Sequence, residues 1–361
     1  LIGIFIFYLI MAILTPLSTT DWHAYKVNLS QYLTQENGRY LGHLFEWVAV
    51  HNVILRALIY AITSFLVIYL VITIIVSGCS NIDNVKHPKE AYTPKSLTVE
   101  FVPSQNAQIL NAKVKPLQQL LSDELEVPVK VHIATNYNTM VEGLKSKKID
   151  IAFISPVSYT LAHDAHAADV LLKSKGYLVD NKGNQTHHLV DYYRSQIVVR
   201  KDSNINHLKD LKDKKIALQD VESTSGYIYP LASLMEKGIK KSDIQIQQVK
   251  GHDQGLIALL NHDVEAVATY QDARADLKKD DPDIYQETKV IYRTKKIPND
   301  TISVRNDMSN KWKNKISQAF INISHTKKGK QIISDIYGHQ GYEKAKDSDF
   351  DTVRKYRDIV D

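Results

Sequence analysis

From Leu97 onward the chain is built of short runs rich in valine and isoleucine, separated by stretches whose apolar residues return at helical spacing. The short runs read as strands and the stretches between most of them as helices. The expected strands are LTVEFV from Leu97, VKVHIA from Val129, IDIAFI from Ile149, SQIVVR from Ser195, KIALQ from Lys215, IQIQQV from Ile244, VEAVAT from Val264 and TISVR from Thr301. This alternation predicts an α/β fold. Pro116, inside the first helical stretch, is expected to bend that helix or to mark its start.

The chain before Leu97 has a different character. Residues 1–14 and 57–76 carry no charge, and the second run is long enough to cross a bilayer as a helix. The first run is short, lacks a starting methionine and reads as a truncated membrane segment. The polar, aromatic stretch 21–52 between them suits an interfacial loop. With Asp21, Trp22 and Asn37-Gly38-Arg39-Tyr40 it resembles a loop of polytopic, glycosyltransferase-like membrane proteins. Residues 1–76 are thus expected to form a membrane-associated segment with N-terminal transmembrane helices over 1–14 and 57–76.

A single cysteine, Cys79, excludes an internal disulfide and a multi-cysteine metal site. It follows Val76-Ser77-Gly78 at the end of the second apolar run and precedes a polar, proline-containing stretch. Residues 77–96 resemble a bacterial lipobox and its tether, which implies lipidation at Cys79 and a lipid anchor in the membrane. A buried or free cysteine at a helix end is the alternative. Lipoprotein signals usually begin with a basic cluster, whereas only Arg56 stands before this apolar run.

The 361 residues, 44% hydrophobic and 24% charged, suffice for one large two-lobed unit or two ordinary domains. The 45 basic and 40 acidic residues leave a net charge of +5 and are interspersed, so nucleic-acid binding has little compositional support.

The strongest local signal is Glu222-Ser223-Thr224-Ser225-Gly226-Tyr227, between the strand KIALQ and the helical run IYPLASLMEKG. The first turn of a helix has unpartnered N–H groups and partial positive charge, so an anion there gains hydrogen bonds and dipole stabilisation together. Gly226 lets backbone approach closely, and the hydroxyls add neutral donors suited to an oxyanion that must be bound and released. By itself the same turn also reads as an ordinary N-cap with spare serines.

A second junction, IDIAFISPVSYTLA, places Ser155, Ser158 and Tyr159 where a buried strand meets a helix, with Pro156 in its first turn. A third offers Thr135 and Tyr137. In open α/β sheets ligands bind beyond the carboxyl ends of strands, so these junctions suggest two walls of one cleft. Taken singly, Tyr137 and Tyr159 would each suit a core position with a satisfied hydroxyl.

These residues resemble the phosphate, phosphite and phosphonate substrate-binding proteins of ABC transporters across roughly 96 to 350. The resemblance rests on the order YNTMVEGLKSKKIDIAFISPVSY, DYYRSQIVVRKDS, ALQDVESTSGYIYP and EAVATYQDARADL. It implies a two-lobed, type II periplasmic-binding-protein-like fold with a hinge, closing on a phosphorus oxyanion: phosphonate, phosphite or phosphate. By this resemblance lobe 1 is 97–193 plus 295–361, and lobe 2 is 194–294. The hinge is expected near Gln196 to Arg200 and Thr294 to Ser303. Tyr137 and Tyr159 would face the ligand from lobe 1, with Ser158 also among the ligand-binding residues, and Ser223, Thr224, Ser225 and Gly226 would hold its oxygens from lobe 2. Asp272 would accept a hydrogen bond from a protonated ligand oxygen or an amino group, and Tyr193 would border the cleft. A solvated carboxylate near a helix start is the plainer reading of Asp272. Ser155 stands where many members have glycine before the proline.

The resemblance further implies a monomeric binding domain on the extracytoplasmic side, an ABC permease as partner, and no cofactor. Metal capture fits poorly: His163 and His166 share a helical face, but the adjacent His187 and His188 point apart and the lobe 2 junction offers hydroxyls. Hydrolysis would need a serine with a base and an orienting acid, and no serine elbow is visible. The same domain could alternatively serve as a membrane-tethered sensor held by helix 57–76.

Overall fold

The computed structural model describes residues 91–180 and 183–360, together with six helical residues between 61 and 69. Two compact units divide the chain, 1–89 and 90–361, and both large sheets lie in the second. Among the described residues no helix is long and apolar enough to cross a membrane. Apart from those six residues, the expected spans 1–14 and 57–76 lie outside the described residues, as does Cys79.

The second unit begins β1 (Leu97–Phe101), α1 (Ala107–Leu125), β2 (Val129–Ile133), α2 (Tyr137–Lys145), β3 (Ile151–Ile154) and α3 (Pro156–Asp164). It continues with β4 (Ala168–Val179), β5 (Gln185–Val190), β6 (Tyr192–Tyr193), β7 (Ser195–Arg200), β8 (Lys215–Leu218), α4 (Tyr229–Glu236) and β9 (Gln245–Gln248). Then follow α5 (His252–Leu260), β10 (Ala266–Tyr270), α6 (Arg274–Leu277), α7 (Ile284–Glu287), β11 (Thr288–Arg293), β12 (Ile297–Pro298) and β13 (Thr301–Arg305). The chain closes with α8 (Asn310–His325), α9 (Lys327–Tyr337), β14 (Gly341–Lys344) and α10 (Asp351–Val360).

Each expected strand segment carries a strand. The first sheet is seven-stranded, in the order β14-β4-β13-β3-β1-β2 with β5 paired to β4. On one side β3, β1 and β2 are parallel, and β13 runs antiparallel to β3 and β4. The second is five-stranded, β11-β7-β10-β8-β9, parallel from β10 through β8 to β9. A short ribbon, β6 with β12, pairs Ile297 with Tyr193 and Pro298 with Tyr192 where the chain passes between the sheets. Gln196 to Arg200, expected near the hinge, lie in β7, where Gln196 pairs with Thr269 on one side and Arg293 on the other.

Pro116 lies inside α1 rather than at its start. Asn106 caps the helix, its side chain accepting the N–H groups of Gln108 at 2.9 Å and Ile109 at 3.3 Å. Leu110, Val114, Leu117, Leu121 and Leu125 return at helical spacing and are fully buried, so packing carries the helix past the missing N–H. Val114, Leu117, Leu121 and Leu125 share a core with Leu97, Val99 and Phe101 of β1 and with Phe320 and Ile333 of α8 and α9. A second core contains residues of both sheets and ends in Phe350, Val353 and Tyr356 of the C-terminal segment. There Tyr356 stacks on Tyr229 of α4 at 4.2 Å, while Arg357 pairs with Asp164 of α3 at 2.8 Å. The last helix therefore touches both halves.

Candidate functional site

Three strand-to-helix junctions converge at the carboxyl ends of parallel strands. After β2, Asn136 caps α2 through a hydrogen bond from the Thr139 N–H at 2.8 Å, which puts Tyr137 in the first turn. After β3, Ser155 caps α3, with Pro156 opening the helix and the two serine hydroxyls, of Ser155 and Ser158, 3.0 Å apart. After β8, Ser223 accepts the Gly226 N–H at 3.2 Å and starts the π-helical turn Thr224–Ile228, which runs into α4. A Cβ at Gly226 would lie 2.0 Å from Gln219 Cγ and 2.6 Å from its Cβ, so only glycine fits there.

The turn of the second sheet meets the junctions of the first directly. Val157 donates its N–H to Thr224 Oγ1 at 2.9 Å, and Ser155 Oγ donates to the Glu222 carbonyl at 3.2 Å. Tyr137 lies beside Ser223, Tyr193 beside Ser225, and Ser158 beside Glu222. The structure thus brings together Tyr137, Ser158, Tyr193, Ser223, Thr224, Ser225 and Gly226. Tyr193 reaches the turn because the ribbon β6–β12 carries it there. Beneath Gly226, both amide atoms of the fully buried Gln219 lack a hydrogen-bond partner among the described residues.

Two expected residues are turned elsewhere. Tyr159 is fully buried, donates its hydroxyl to Asp347 Oδ1 at 2.9 Å and packs on the Phe350 ring at 4.9 Å. It follows Ser158 on a helix, and consecutive helical residues face different directions, so the two cannot both look into the cleft. Asp272 follows β10 with a left-handed φ of 68°. Its Oδ1 accepts the Tyr285 hydroxyl at 2.8 Å and lies 3.7 Å from Arg274 Nη2. Burial pushes its carboxyl up to about 6, with Tyr285 and Arg274 opposing. No hydrogen bond joins it to the serine turn among the described residues.

Two acids to which sequence reasoning gave no role lie at the site. Glu222 is pushed up to about 7 by burial, then by Asp220 and Glu142. Asp300, between β12 and β13, is also pushed up to about 7 by burial and faces Tyr137, Tyr193 and Tyr337. Its only sequence signal is Pro298-Asn299-Asp300 before a strand, which reads as a turn. Burial raises all three tyrosines above their ordinary range, so they stay neutral donors. The arrangement offers an anion hydroxyls and a helix start, with carboxyl groups nearby that would resist surplus negative charge.

A two-lobed α/β unit whose hydroxyl-bearing strand ends face each other defines a solute-binding protein. A family model described as "ABC transporter, phosphonate, periplasmic substrate-binding protein" matches residues 99–350. The chain belongs to this family, whose members bind substrate for ABC transporters and are not enzymes. Its relatives include the phosphate-import protein PhnD of Mycolicibacterium smegmatis, 31% identical over 204 residues, 54% of this chain and 61% of that protein. The phosphonates-binding periplasmic protein of Escherichia coli is 29% identical over 244 residues, 66% of this chain and 69% of that protein. The chain thus spans about three fifths to two thirds of the length of these relatives. Among solved structures, PhnD1 from Prochlorococcus marinus in complex with methylphosphonate aligns with a TM-score of 0.63 at 20% identity, over 73% of this chain and 97% of that one. A binding-protein component of an ABC phosphonate transporter from Pseudomonas aeruginosa aligns with a TM-score of 0.64 at 20% identity, over 73% and 86%. These likenesses establish the two-lobed fold.

Proposed function

We propose that the chain captures a phosphorus oxyanion, a phosphonate, phosphite or phosphate, between lobe 1 (97–193 plus 295–361) and lobe 2 (194–294) and delivers it to an ABC permease. The supporting observation is the turn Ser223–Gly226, set at a strand's carboxyl end and meeting Tyr137 and Tyr193. Thr224 Oγ1 already accepts an N–H, which leaves its own proton to donate to a ligand oxygen. Ser223 and Ser225 can donate likewise, and the ribbon β6–β12 is the segment about which the lobes would swing. In this reading Cys79 carries the lipid anchor and the binding lobes stand outside the membrane.

Titration calorimetry with phosphate, phosphite, methylphosphonate, 2-aminoethylphosphonate and sulfate tests the reading. Binding of a phosphorus ligand that Ser225→Ala weakens supports it. A folded protein that gives no heat with any of them refutes it.

A further inference from the structure

The lobes also meet away from the serine turn and the ribbon, at the loop 103–106 between β1 and α1. The Ser104 carbonyl accepts the His252 N–H at 3.1 Å. That N–H belongs to the first turn of α5 and has no partner within its own helix. Beside it, Gln105 Nε2 donates to Asp276 Oδ2 at 2.9 Å and to Tyr270 Oη at 3.3 Å, and the Tyr270 hydroxyl donates to the same carboxylate oxygen. The Gln105 backbone lies against Gly251, its Cα 3.5 Å from where a Cβ on that glycine would stand. Among the described residues no hydrogen bond joins Gln105, Tyr270 or Asp276 to Ser223, Thr224 or Ser225.

Each half of this junction is held without the other. On the first-sheet side the Val102 N–H bonds the Phe153 carbonyl at 3.0 Å, the Ser104 N–H bonds the Val102 carbonyl at 3.0 Å, and Asn106 caps α1. On the second-sheet side the Tyr270 ring meets the His252 ring edge-on at 4.8 Å, and His252 Nδ1 lies 2.9 Å from Thr269 Oγ1. Two braced halves come together or part as the lobes move as bodies, with no loop to rearrange.

We propose that Gln105 is a positioning residue for solute capture: by donating to Asp276 and Tyr270 it holds the lobes closed and sets how long a bound anion stays, without touching the anion. This rests on the oxyanion reading and deepens it. A contact made only when the lobes are together raises the closed fraction, and apparent affinity rises with the fraction that is competent to bind. The same contact must break before the ligand leaves, so it slows release more than it changes capture. A neutral amide on a carboxylate makes a weaker bond than an ion pair, which suits a junction that opens at every delivery. Asp276 is exposed and Gln105 half-buried, so water satisfies both once the lobes part. One such hydrogen bond shifts the closed population by about three- to tenfold.

The His252 N–H reports the junction directly, because its partner is a carbonyl of the other lobe. Hydrogen exchange at that amide in the full chain, without ligand, is the first measurement. Gln105→Ala should speed it about three- to tenfold, and Gln105→Glu, which sets a second carboxylate against Asp276, should speed it further. Adding Asp276→Asn to Gln105→Glu exchanges donor for acceptor and should restore slow exchange. Calorimetry and release kinetics with methylphosphonate and phosphate should follow the same order, with the urea midpoint unchanged. Wild-type exchange at His252 in Gln105→Ala and Gln105→Glu overturns the proposal. A lower urea midpoint that the paired substitution does not restore also overturns it, since that marks a structural role. A wild-type chain that binds no phosphorus ligand refutes the oxyanion reading, and the proposal for capture falls with it, even where the exchange pattern shows the junction itself to be present.

Discussion

Thr224 Oγ1 accepts the Val157 N–H at 2.9 Å, so a hydroxyl of the second sheet satisfies the first turn of a helix on the first sheet. That N–H is one of the helix-start donors with no partner inside its own helix. Thr224→Val keeps the shape and removes the acceptor. The orphaned donor should cost about 1–3 kcal/mol of lobe contact. The expected result is a lower ligand affinity by calorimetry and a larger radius of gyration by X-ray scattering.

Gly226→Ala forces a methyl group against Gln219, which is fully buried and has no room to retreat. Overpacking of this kind costs about 1–3 kcal/mol. Urea titration should show the midpoint falling with little change in slope.

His252 is buried, hydrogen-bonded to Thr269 Oγ1 at 2.9 Å and pushed down to about 3 by burial. His339 is pushed down to about 4 for the same reason. Below about pH 6.5 the unfolded chain binds protons at both rings while the folded chain does not. Stability should therefore fall as pH drops from about 6.5 towards 4, and His252→Gln should flatten that slope in thermal melts.

Arg305 lies 3.2 Å from Asp150 Oδ1 and 2.7 Å from Asp307 Oδ1, and the Arg305 and Asp150 side chains are both buried. Arg305→Met leaves Asp150 uncompensated and should cost about 3–5 kcal/mol by chemical denaturation. Asp307, pushed down to about 2 chiefly by its bond to Arg305 and further by Lys147, should lose part of that shift in the variant. Its contribution is present above about pH 4 and is lost as pH falls through 2, so the variant should be less sensitive to acid in that window.

The strands and the helix starts were legible because their causes are local. Alternation and short valine-rich runs marked every expected strand, and Ser155-Pro156 and Ser223-Thr224-Ser225-Gly226 announced their junctions through capping chemistry. The long strand β4 was not legible: its lysines and half-buried positions hide a strand whose first half lies between β13 and β14 and whose second half pairs with β5. Nor was the last helix legible as a bridge, since only packing sets Tyr356 against Tyr229.

By itself the sequence determined the α/β alternation, the family and the hydroxyl turn, each a matter of neighbouring residues. Only the tertiary structure decided which side chains share the cleft. It turned Tyr159 to Asp347 and Asp272 to Tyr285, and through the ribbon and β13 it set Tyr193 and Asp300 at the crossing. The physical reason is direction. A helix rotates successive side chains around its axis, and a residue in a turn points where long-range strand pairing aims it, which no local pattern records.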